Sequence, residues 1–339
     1  MFYTETAGTY YEMGCQTGVA HRLKIGAMLD FLTTPFRAWS SQQFQRERIR
    51  HMSGTEKNCP EFMEEVQGIA DGSGFSFQQI YLMNFYCVMR LGCTDIVFPD
   101  TSEGPLLSKT NDMPVHEGKH AGVRLIRPDS GMAMLGGTFP GTCWMEPGMN
   151  DAGLAIGGAS CSAKTPLSAD CFPPHLLGRI LLSKCETVPD AVKFLNAFPL
   201  GRWGMNLALV DRKGRAAVVE KSGTIQGVRS QPPGKPIYCT DHDCRTKELQ
   251  PYCGKPRANP RFKNIQRFLR GKTPSRALLK DLVSYNKPPG ALSRYGDLDA
   301  QSYETEFVAI FRVRNLKAEF CFSHPDRDPW REFSLGNSG

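Results

Sequence analysis

The segment "LGCTDIVF" (residues 91–98) marks the point where the character of the chain changes, and it decides the fold. Gly92 and Cys93 precede an apolar, β-branched run that is typical of a buried strand. Residues 1 to about 90, on its N-terminal side, are predicted to be mainly helical. Short apolar runs separated by glycine, proline and Asx residues follow it, and these predict strands and hairpins.

Two segments carry the helical prediction. "PEFMEEVQGIADGSG" (60–74) begins with a proline, ends in glycines and places Phe62, Val66 and Ile69 on one face. "FSFQQIYLMNFYCVMRL" (75–91) is apolar along its length, which predicts a buried helix that leads up to the glycine–cysteine pair.

The remaining segments alternate between strands and helices. "MNLALVDRKGRAAVVE" (205–220) predicts two strands around the turn "DRKG". Further helices are predicted to begin near prolines at 173–185, 188–198, 259–271 and 274–286, and a last strand pair at 304–323. This order predicts a layered α+β fold in which helices cover an antiparallel sheet core.

Composition excludes several classes of protein. The 339 residues are 40% hydrophobic and 22% charged, which is typical of a globular chain. The net charge of +7 is modest, and the basic zone 255–272 is interpreted as a solvated helix face because no nucleic-acid motif accompanies it. No apolar stretch is long enough to cross a membrane, and no secretory signal precedes the first helix. We therefore expect a cytoplasmic protein without nucleic-acid or membrane partners.

The twelve cysteines are spread thinly and include no C-x-x-C pair, so we expect mostly reduced, buried thiols. The densest group is Cys239, His242, Cys244 and Cys253. These are zinc-ligand types, but their spacing matches no familiar finger or ribbon, so no metal site is predicted.

Cys93 needs activation if it is a nucleophile, because a free thiol is only slightly ionised near neutral pH. None of the seven histidines lies in a local cysteine-protease motif, although a Cys–His peptidase remains open. If the peptide bond before Cys93 is cut, its freed α-amine can act as the base, since such an amine titrates at roughly 7.7–8.0. The preceding Gly92 suits the backbone geometry that self-cleavage requires.

Several short motifs resemble one known family. "GCT" (92–94), followed nineteen residues after the cysteine by the aspartate of "KTND" (109–112), resembles the cysteine-type N-terminal nucleophile (Ntn) hydrolases. The closer likeness is to the isopenicillin N acyltransferase-like branch, also called the acyl-CoA:6-aminopenicillanic acid acyltransferase family. The bile salt hydrolase and penicillin V acylase branch is more distant. Further segments of the same likeness are 10–18, 64–74, 148–158, 239–244 and 292–298.

The resemblance implies a four-layer αββα fold, with two antiparallel sheets between helical layers, in one domain that spans 1–339. It also implies self-cleavage between Gly92 and Cys93. The products would be a light helical fragment, 1–92, and a heavy catalytic fragment, 93–339, which stay associated. A homo-oligomer is left open.

The same resemblance implies roles for single residues. Cys93 is the nucleophile, Asp112 accepts a hydrogen bond from its α-amine, and Arg294 stabilises the thiolate. Asn150 helps to form the oxyanion hole, and Lys109 occupies a position that is arginine in the bile salt hydrolase branch.

Local patterns offer alternatives for three of these residues. An aspartate such as Asp112, taken alone, is typical of a turn or a helix cap. Asn150, which precedes "DAG", is typical of a hairpin turn, and Arg294 is typical of a surface ion pair. The ordered set of motifs favours catalysis.

Asp241 departs from the family pattern, because its position in "CTDHDC" is normally an asparagine that donates to the oxyanion. An ionised aspartate repels that charge. Either Asp241 is protonated, or its backbone and neighbours do the work, or the site is weakened. Asn206 is a possible substitute donor, although its context is that of a strand residue. A small-molecule-binding protein on the same fold therefore also remains open.

The implied reaction forms an acyl-enzyme on Cys93 from an amide or thioester, which water or an amine then resolves. Amidohydrolase and N-acyltransferase activity both use this chemistry. No cofactor is expected, acyl-CoA is a possible co-substrate, and the substrate is a small acylated molecule or peptide that the sequence does not identify.

Overall fold

Two β-sheets packed face to face carry the fold in this computed structural model. The structure describes residues 1–37, 42–85, 92–114, 120–161, 163, 165, 168, 170–201, 204–241, 244–253, 259–295 and 303–336. The helices are α1 (Tyr10–Arg37), α2 (Gln42–Asn58), α3 (Glu61–Ser73), α4 (Phe77–Phe85), α5 (Leu177–Lys184), α6 (Val188–Ala197), α7 (Pro260–Leu269) and α8 (Arg276–Val283). The strands are β1 (Tyr3–Gly8), β2 (Gly92–Phe98), β3 (Leu106–Pro114), β4 (Gly122–Pro128), β5 (Met134–Thr138), β6 (Gly148–Asn150), β7 (Leu154–Cys161), β8 (Gly204–Asp211), β9 (Ala216–Ser222), β10 (Ile225–Arg229), β11 (Ile237–Thr240), β12 (Tyr303–Arg312), β13 (Lys317–Cys321) and β14 (Arg331–Ser334).

Among the described residues, one sheet has eight strands and the other has six. The larger sheet has the order β1-β4-β5-β6-β7-β8-β9-β10, and the smaller sheet has the order β11-β2-β3-β12-β13-β14. Neighbouring strands run antiparallel, except that β1 lies parallel to β4. The larger sheet is therefore mixed rather than purely antiparallel.

Helices cover the outer faces of both sheets. α1, α5 and α6 contact the larger sheet, α7 and α8 contact the smaller one, and β2 and β3 pack on β7 and β8 between them. Apolar clusters fill the spaces between these layers. The predicted α+β fold with αββα layering is confirmed.

Most predicted elements are found where the sequence places them. α3 buries Phe62, Val66 and Ile69 completely, and β8 and β9 form the predicted hairpin. α4 ends at Phe85, so the end of the helix predicted at 75–91 lies outside the described residues.

The prediction that residues 1–92 are a helical fragment missed β1. This strand alternates exposed and buried residues, but Thr4 and Thr6 occupy its buried positions. The period of two is therefore invisible in a pattern of apolar residues. β14, whose residues are mostly exposed, was missed for a related reason.

α1 and α3 approach each other backbone to backbone through glycines. A Cβ added at Gly14 would fall within 3.0 Å of the Glu65 carbonyl oxygen, and one at Gly68 within 3.0 Å of the Tyr11 carbonyl oxygen, distances that real Cβ atoms essentially never show. Gly72 is equally close to α1. The contact explains why glycines recur at four-residue spacing in both helices.

We predict that Gly68→Ala lowers the free energy of unfolding by about 1–3 kcal/mol, because the added methyl group forces the helices apart. Gly26→Ala in α1 is the matched control, since its Cβ would meet only the ring of Phe75 at 3.3 Å. It should be neutral or slightly stabilising because alanine favours helix. Chemical denaturation measures both, and equal stability of Gly68→Ala and the parent chain would contradict this packing.

Candidate active site

The pairing of β2 with β3 places Cys93 on the inner face of the smaller sheet. Cys93 lies opposite Asn111, and Asp95 lies opposite Lys109. Paired residues share a face and side chains alternate along a strand. These four side chains therefore point towards the larger sheet, where Asp95 rests against Gly157 of β7.

Cys93 is completely buried, and its Sγ lies 4.0 Å from Asn111 Oδ1. Burial raises the pKa of the Cys93 thiol to about 12, with Lys109 acting in the opposite direction and Asp95 and Asp112 adding to the rise. The thiol is therefore protonated at neutral pH in the intact chain.

Lys109 holds a buried positive charge beside this thiol. Its Nζ donates to the carbonyl oxygen of Gly158 and lies 3.4 Å from Glu146 Oε1. Burial alone would lower the pKa of Lys109, but Cys93, Asp95 and Glu146 together raise it. Lys109 therefore stays charged next to the thiol.

Asp95 and Glu146 complete a buried polar layer that the sequence did not reveal. A Cβ at Gly157 would collide with Asp95, and one at Gly158 would collide with Glu146, so this glycine pair of β7 makes room for both carboxyl groups. Burial raises the pKa of Asp95 to about 7 and raises that of Glu146 as well. The layer thus contains one fixed cation and two carboxyl groups that burial pushes towards protonation.

Asp112 lies on the opposite face of the sheet, level with Gly92 in the register. It is completely buried, the Arg261 guanidinium donates to its Oδ2, and the Thr305 hydroxyl donates to its Oδ1 at 2.6 Å. Arg294 Nε lies 3.8 Å from the same carboxylate. The structure therefore brings Asp112 and Arg294 together next to the predicted cleavage site.

Asp241 contacts Cys93 through its backbone. Its N–H donates to the carbonyl oxygen of Cys93 at 3.0 Å, and its Oδ1 lies 3.8 Å from Arg261 Nη1. The Asp241 carboxylate thus faces the Arg261 guanidinium, and the Asp241 backbone pairs with Cys93.

Arg261 is a site residue that the sequence did not reveal. The basic zone 255–272 was interpreted as solvated, which is wrong at this position because Arg261 is only 3% exposed. It stands at the start of α7, where the Asn259 side chain caps the helix, and it shares the buried face with Phe262. That position beside an apolar residue was the only signal of its burial.

Asn150 is not brought to Cys93. Its Nδ2 donates to the carbonyl oxygens of Leu182 and Cys185, and its Oδ1 accepts from the Leu154 N–H. Both amide hydrogens are therefore used at the end of α5, and this geometry does not support the predicted oxyanion role. The hairpin-turn alternative is the one that the structure shows.

The structure also shows the surroundings of Asn206 and of the cysteine-rich segment 239–253. Asn206 is a buried β8 residue whose Nδ2 donates to the Thr240 carbonyl oxygen. Cys239 lies beside Asp95. Cys244 and Cys253 form a disulfide and are an exception to the expected, mostly reduced thiols, since nine cysteines of the described residues are free. His242 lies outside the described residues.

Comparison with solved structures identifies the class of the fold. A mutant of conjugated bile acid hydrolase from Clostridium perfringens matches with a TM-score of 0.53 at 11% identity, covering 72% of this chain and 92% of that chain. A second variant of that hydrolase gives a TM-score of 0.52 at 10% identity, with the same coverage. The Caenorhabditis elegans ortholog of N-acylethanolamine-hydrolyzing acid amidase gives 0.44 at 13% identity, covering 66% of this chain and 93% of that one. The bile acid hydrolase matches show an Ntn-hydrolase fold.

The family follows from the sequence match. The model for acyl-coenzyme A:6-aminopenicillanic acid acyl-transferase matches residues 101–327. The chain belongs to this family and is an Ntn-type acyltransferase or amidohydrolase, an enzyme that acts on amide bonds. No curated protein matches the chain. No helix within the described ranges is long and apolar enough to cross a membrane.

We predict that Arg261→Gln lowers the free energy of unfolding by about 3–5 kcal/mol, because it leaves the Asp112 carboxylate buried without its main cation. Arg267→Gln on the exposed side of the same helix is the control and should change stability by less than about 0.5 kcal/mol. Urea denaturation distinguishes the two. An Arg261→Gln chain as stable as the Arg267→Gln chain would show that the pair contributes nothing.

Asp95 predicts a pH dependence of stability. Its pKa is raised by burial, so between about pH 4 and 7 the folded chain keeps a proton that the unfolded chain releases, and stability falls as pH rises through that window. In a Cys93→Ala background, Asp95→Asn should flatten this fall, whereas Asp100→Asn, at an exposed position, should not. Denaturation midpoints at several pH values test it, and parallel profiles for all three chains would refute the assignment.

Proposed function

We propose that this enzyme is activated by self-cleavage between Gly92 and Cys93 and that Cys93 is then both the new N-terminus and the nucleophile. The observation that carries the proposal is the β2–β3 register, which sets Gly92 opposite Asp112. The Cys93 nitrogen released by cleavage would lie beside a buried carboxylate that can hold it.

The charges around Cys93 support a resting precursor. With the Cys93 nitrogen in an amide and the thiol pKa at about 12, the intact chain has no free α-amine at Cys93 and holds little thiolate. Cleavage adds an α-amine that titrates at roughly 7.7–8.0. Its ammonium form favours the thiolate, and its free form is a base on the same residue.

Self-cleavage uses only groups of this chain and water, and turnover adds the substrate and, for acyl transfer, an amine. In self-cleavage, Sγ attacks the Gly92 carbonyl carbon, the C–N bond breaks as the C–S bond forms, and the thiol proton goes to the departing amine. Water hydrolyses the thioester and leaves a Gly92 carboxylate. In turnover, Sγ attacks a substrate carbonyl, the α-amine carries the thiol proton to the leaving group, and water or an amine resolves the acyl-enzyme.

Cations near the site would stabilise the oxyanion of each step. Arg261 is engaged with Asp112, Thr94 and Asp241. The Arg294 side chain is 32% exposed and is the guanidinium that a ligand can reach. We therefore assign charge stabilisation to Arg294, and to Asp241 only a backbone role at Cys93.

A basic groove favours an acyl thioester with an anionic carrier, such as acyl-CoA, as the acyl donor. The groove has a volume of about 1180 Å³ and lies between β11 and α7. Its basic lining residues are Arg229, Lys235, Arg245, Arg270 and Lys272. Tyr238 and Phe262 line the same groove, and Phe262 adjoins Arg261 of the site. An amine acceptor would then make the enzyme an N-acyltransferase, and water would make it a hydrolase.

A panel of N-acyl compounds and acyl thioesters, with and without amine acceptors and with mass detection, tests this function. We expect an acyl adduct on Cys93 and loss of turnover by roughly 10⁴-fold or more in Cys93→Ala. Cys185→Ala is the matched control, because that thiol is buried at the end of α5.

Three results would contradict the proposal. One is a Cys93→Ala chain with full activity. Another is activity that depends on a histidine in a chain that is never cut, which would favour a Cys–His peptidase. The third is binding of panel compounds without turnover or selective labelling of Cys93, which would favour a binding protein.

A further inference from the structure

Three cysteines from separate segments meet at the C-terminal end of β7. Cys161 ends that strand, Cys244 lies in the segment after β11, and Cys253 follows the 3-10 turn Gln250–Tyr252. Their three Sγ atoms lie within 4.8 Å of one another. We propose that these sulfurs, in the reduced chain, form a binding site for one soft divalent ion such as Zn²⁺.

The third sulfur lies closer to the disulfide than the packing of a bystander thiol requires. Cys244 and Cys253 are joined, yet Cys161 Sγ lies 2.9 Å from Cys244 Sγ, closer than the separation of about 3.5–4.0 Å that suits even two non-bonded carbon atoms. The disulfide accounts for two of the sulfurs and does not explain why the Cys161 sulfur lies so close to them. Around a tetrahedral zinc with Zn–S bonds of about 2.3 Å, neighbouring sulfurs are about 3.8 Å apart. Shifts of about 1–2 Å after reduction would produce that triangle.

The surroundings position the ligands before an ion arrives. Cys161 is buried and is paired through β7 with Gly204 of β8. The segment that carries Cys244 is anchored by Glu220, whose carboxylate accepts from the Arg245 and Thr246 N–H groups at 2.8 Å. Such anchoring lowers the conformational cost of assembling the ligands.

Apolar side chains pack against the three cysteines, of which Cys161 is buried and Cys244 and Cys253 are partly exposed. Ala163 and Leu249 are buried with Cys161, and Ile225 packs against them. Packing against these apolar side chains limits the access of water to thiolate–metal bonds. The site is therefore more than a group of surface thiols.

Binding of the ion requires that a thiol reductant first opens the disulfide. Two molecules of a low-molecular-weight thiol reduce the Cys244–Cys253 disulfide and leave as their own disulfide. Binding of Zn²⁺ then releases three protons from the three thiols. The fourth coordination position stays open to water.

The ion would tie two parts of the molecule together. Residue 241, which pairs with Cys93 through its backbone, stands three positions before Cys244. A shared ion would therefore join β7 to the segment that begins at Asp241. This inference is independent of the proposed function, since metal affinity and stability are measured without turnover.

The test uses the full chain reduced with a phosphine under anaerobic conditions and titrated with Co²⁺, which Zn²⁺ then displaces. We expect one ion per chain by native mass spectrometry, thiolate-to-cobalt charge-transfer absorption, and a higher Tm with Zn²⁺. Cys161→Ala, Cys244→Ala and Cys253→Ala should each weaken binding at least 10-fold. Cys185→Ala should leave it unchanged, and Cys161→Ser repeats the first change with a side chain of similar size.

Three results would overturn the site. The first is absence of charge-transfer absorption in the reduced parent chain. The second is binding by folded Cys161→Ala or Cys161→Ser that equals the parent, because the third sulfur would then be a bystander. The third is refusal of Zn²⁺ by the reduced chain together with a Cys161–Cys244 disulfide after reoxidation, which would make the group a site of thiol–disulfide exchange.

Discussion

The register of β2 against β3 is the constraint on which the rest of the site depends. It sets Cys93 opposite Asn111 on the inner face and Gly92 opposite Asp112 next to the outer one. A slip of one residue would exchange the two faces, because side chains alternate along a strand. Cys93 would then face α7, and Asp112 would lose the Arg261 pair that compensates its buried charge.

Two charge layers result from this register, one on each side of the smaller sheet. On the inner side, Lys109 lies between Asp95 and Glu146, and the missing side chains of Gly157 and Gly158 leave room for the two carboxyl groups. On the outer side, guanidinium groups balance the aspartates. Burial keeps the Cys93 thiol protonated in the intact chain, although Lys109 of the inner layer acts in the opposite direction. In the proposed self-cleavage, the new α-amine would lie next to the outer layer.

The sequence predicts the layered fold from short segments, and its short motifs supply the candidate site residues. The structure places Lys109 and the Asp241 backbone at Cys93, and it places Arg294 at Asp112 on the other face of the sheet. Residues that act across the fold were not predictable in this way. Arg261 reaches Asp112 from a helix 149 positions away, and Asp95 needs the glycines of β7. Asn150 shows the opposite failure, since a family motif suggested catalysis where the local hairpin pattern was the better guide.

The proposed self-cleavage makes Cys93 a chain terminus, which the intact mass of the purified protein under denaturing conditions reveals. We expect two fragments, one of which begins at Cys93, whose masses together equal the 37.7 kDa chain plus one water. The Cys93→Ala chain should remain whole under the same conditions. A fully active parent protein that runs as one uncut chain of 37.7 kDa would contradict the account.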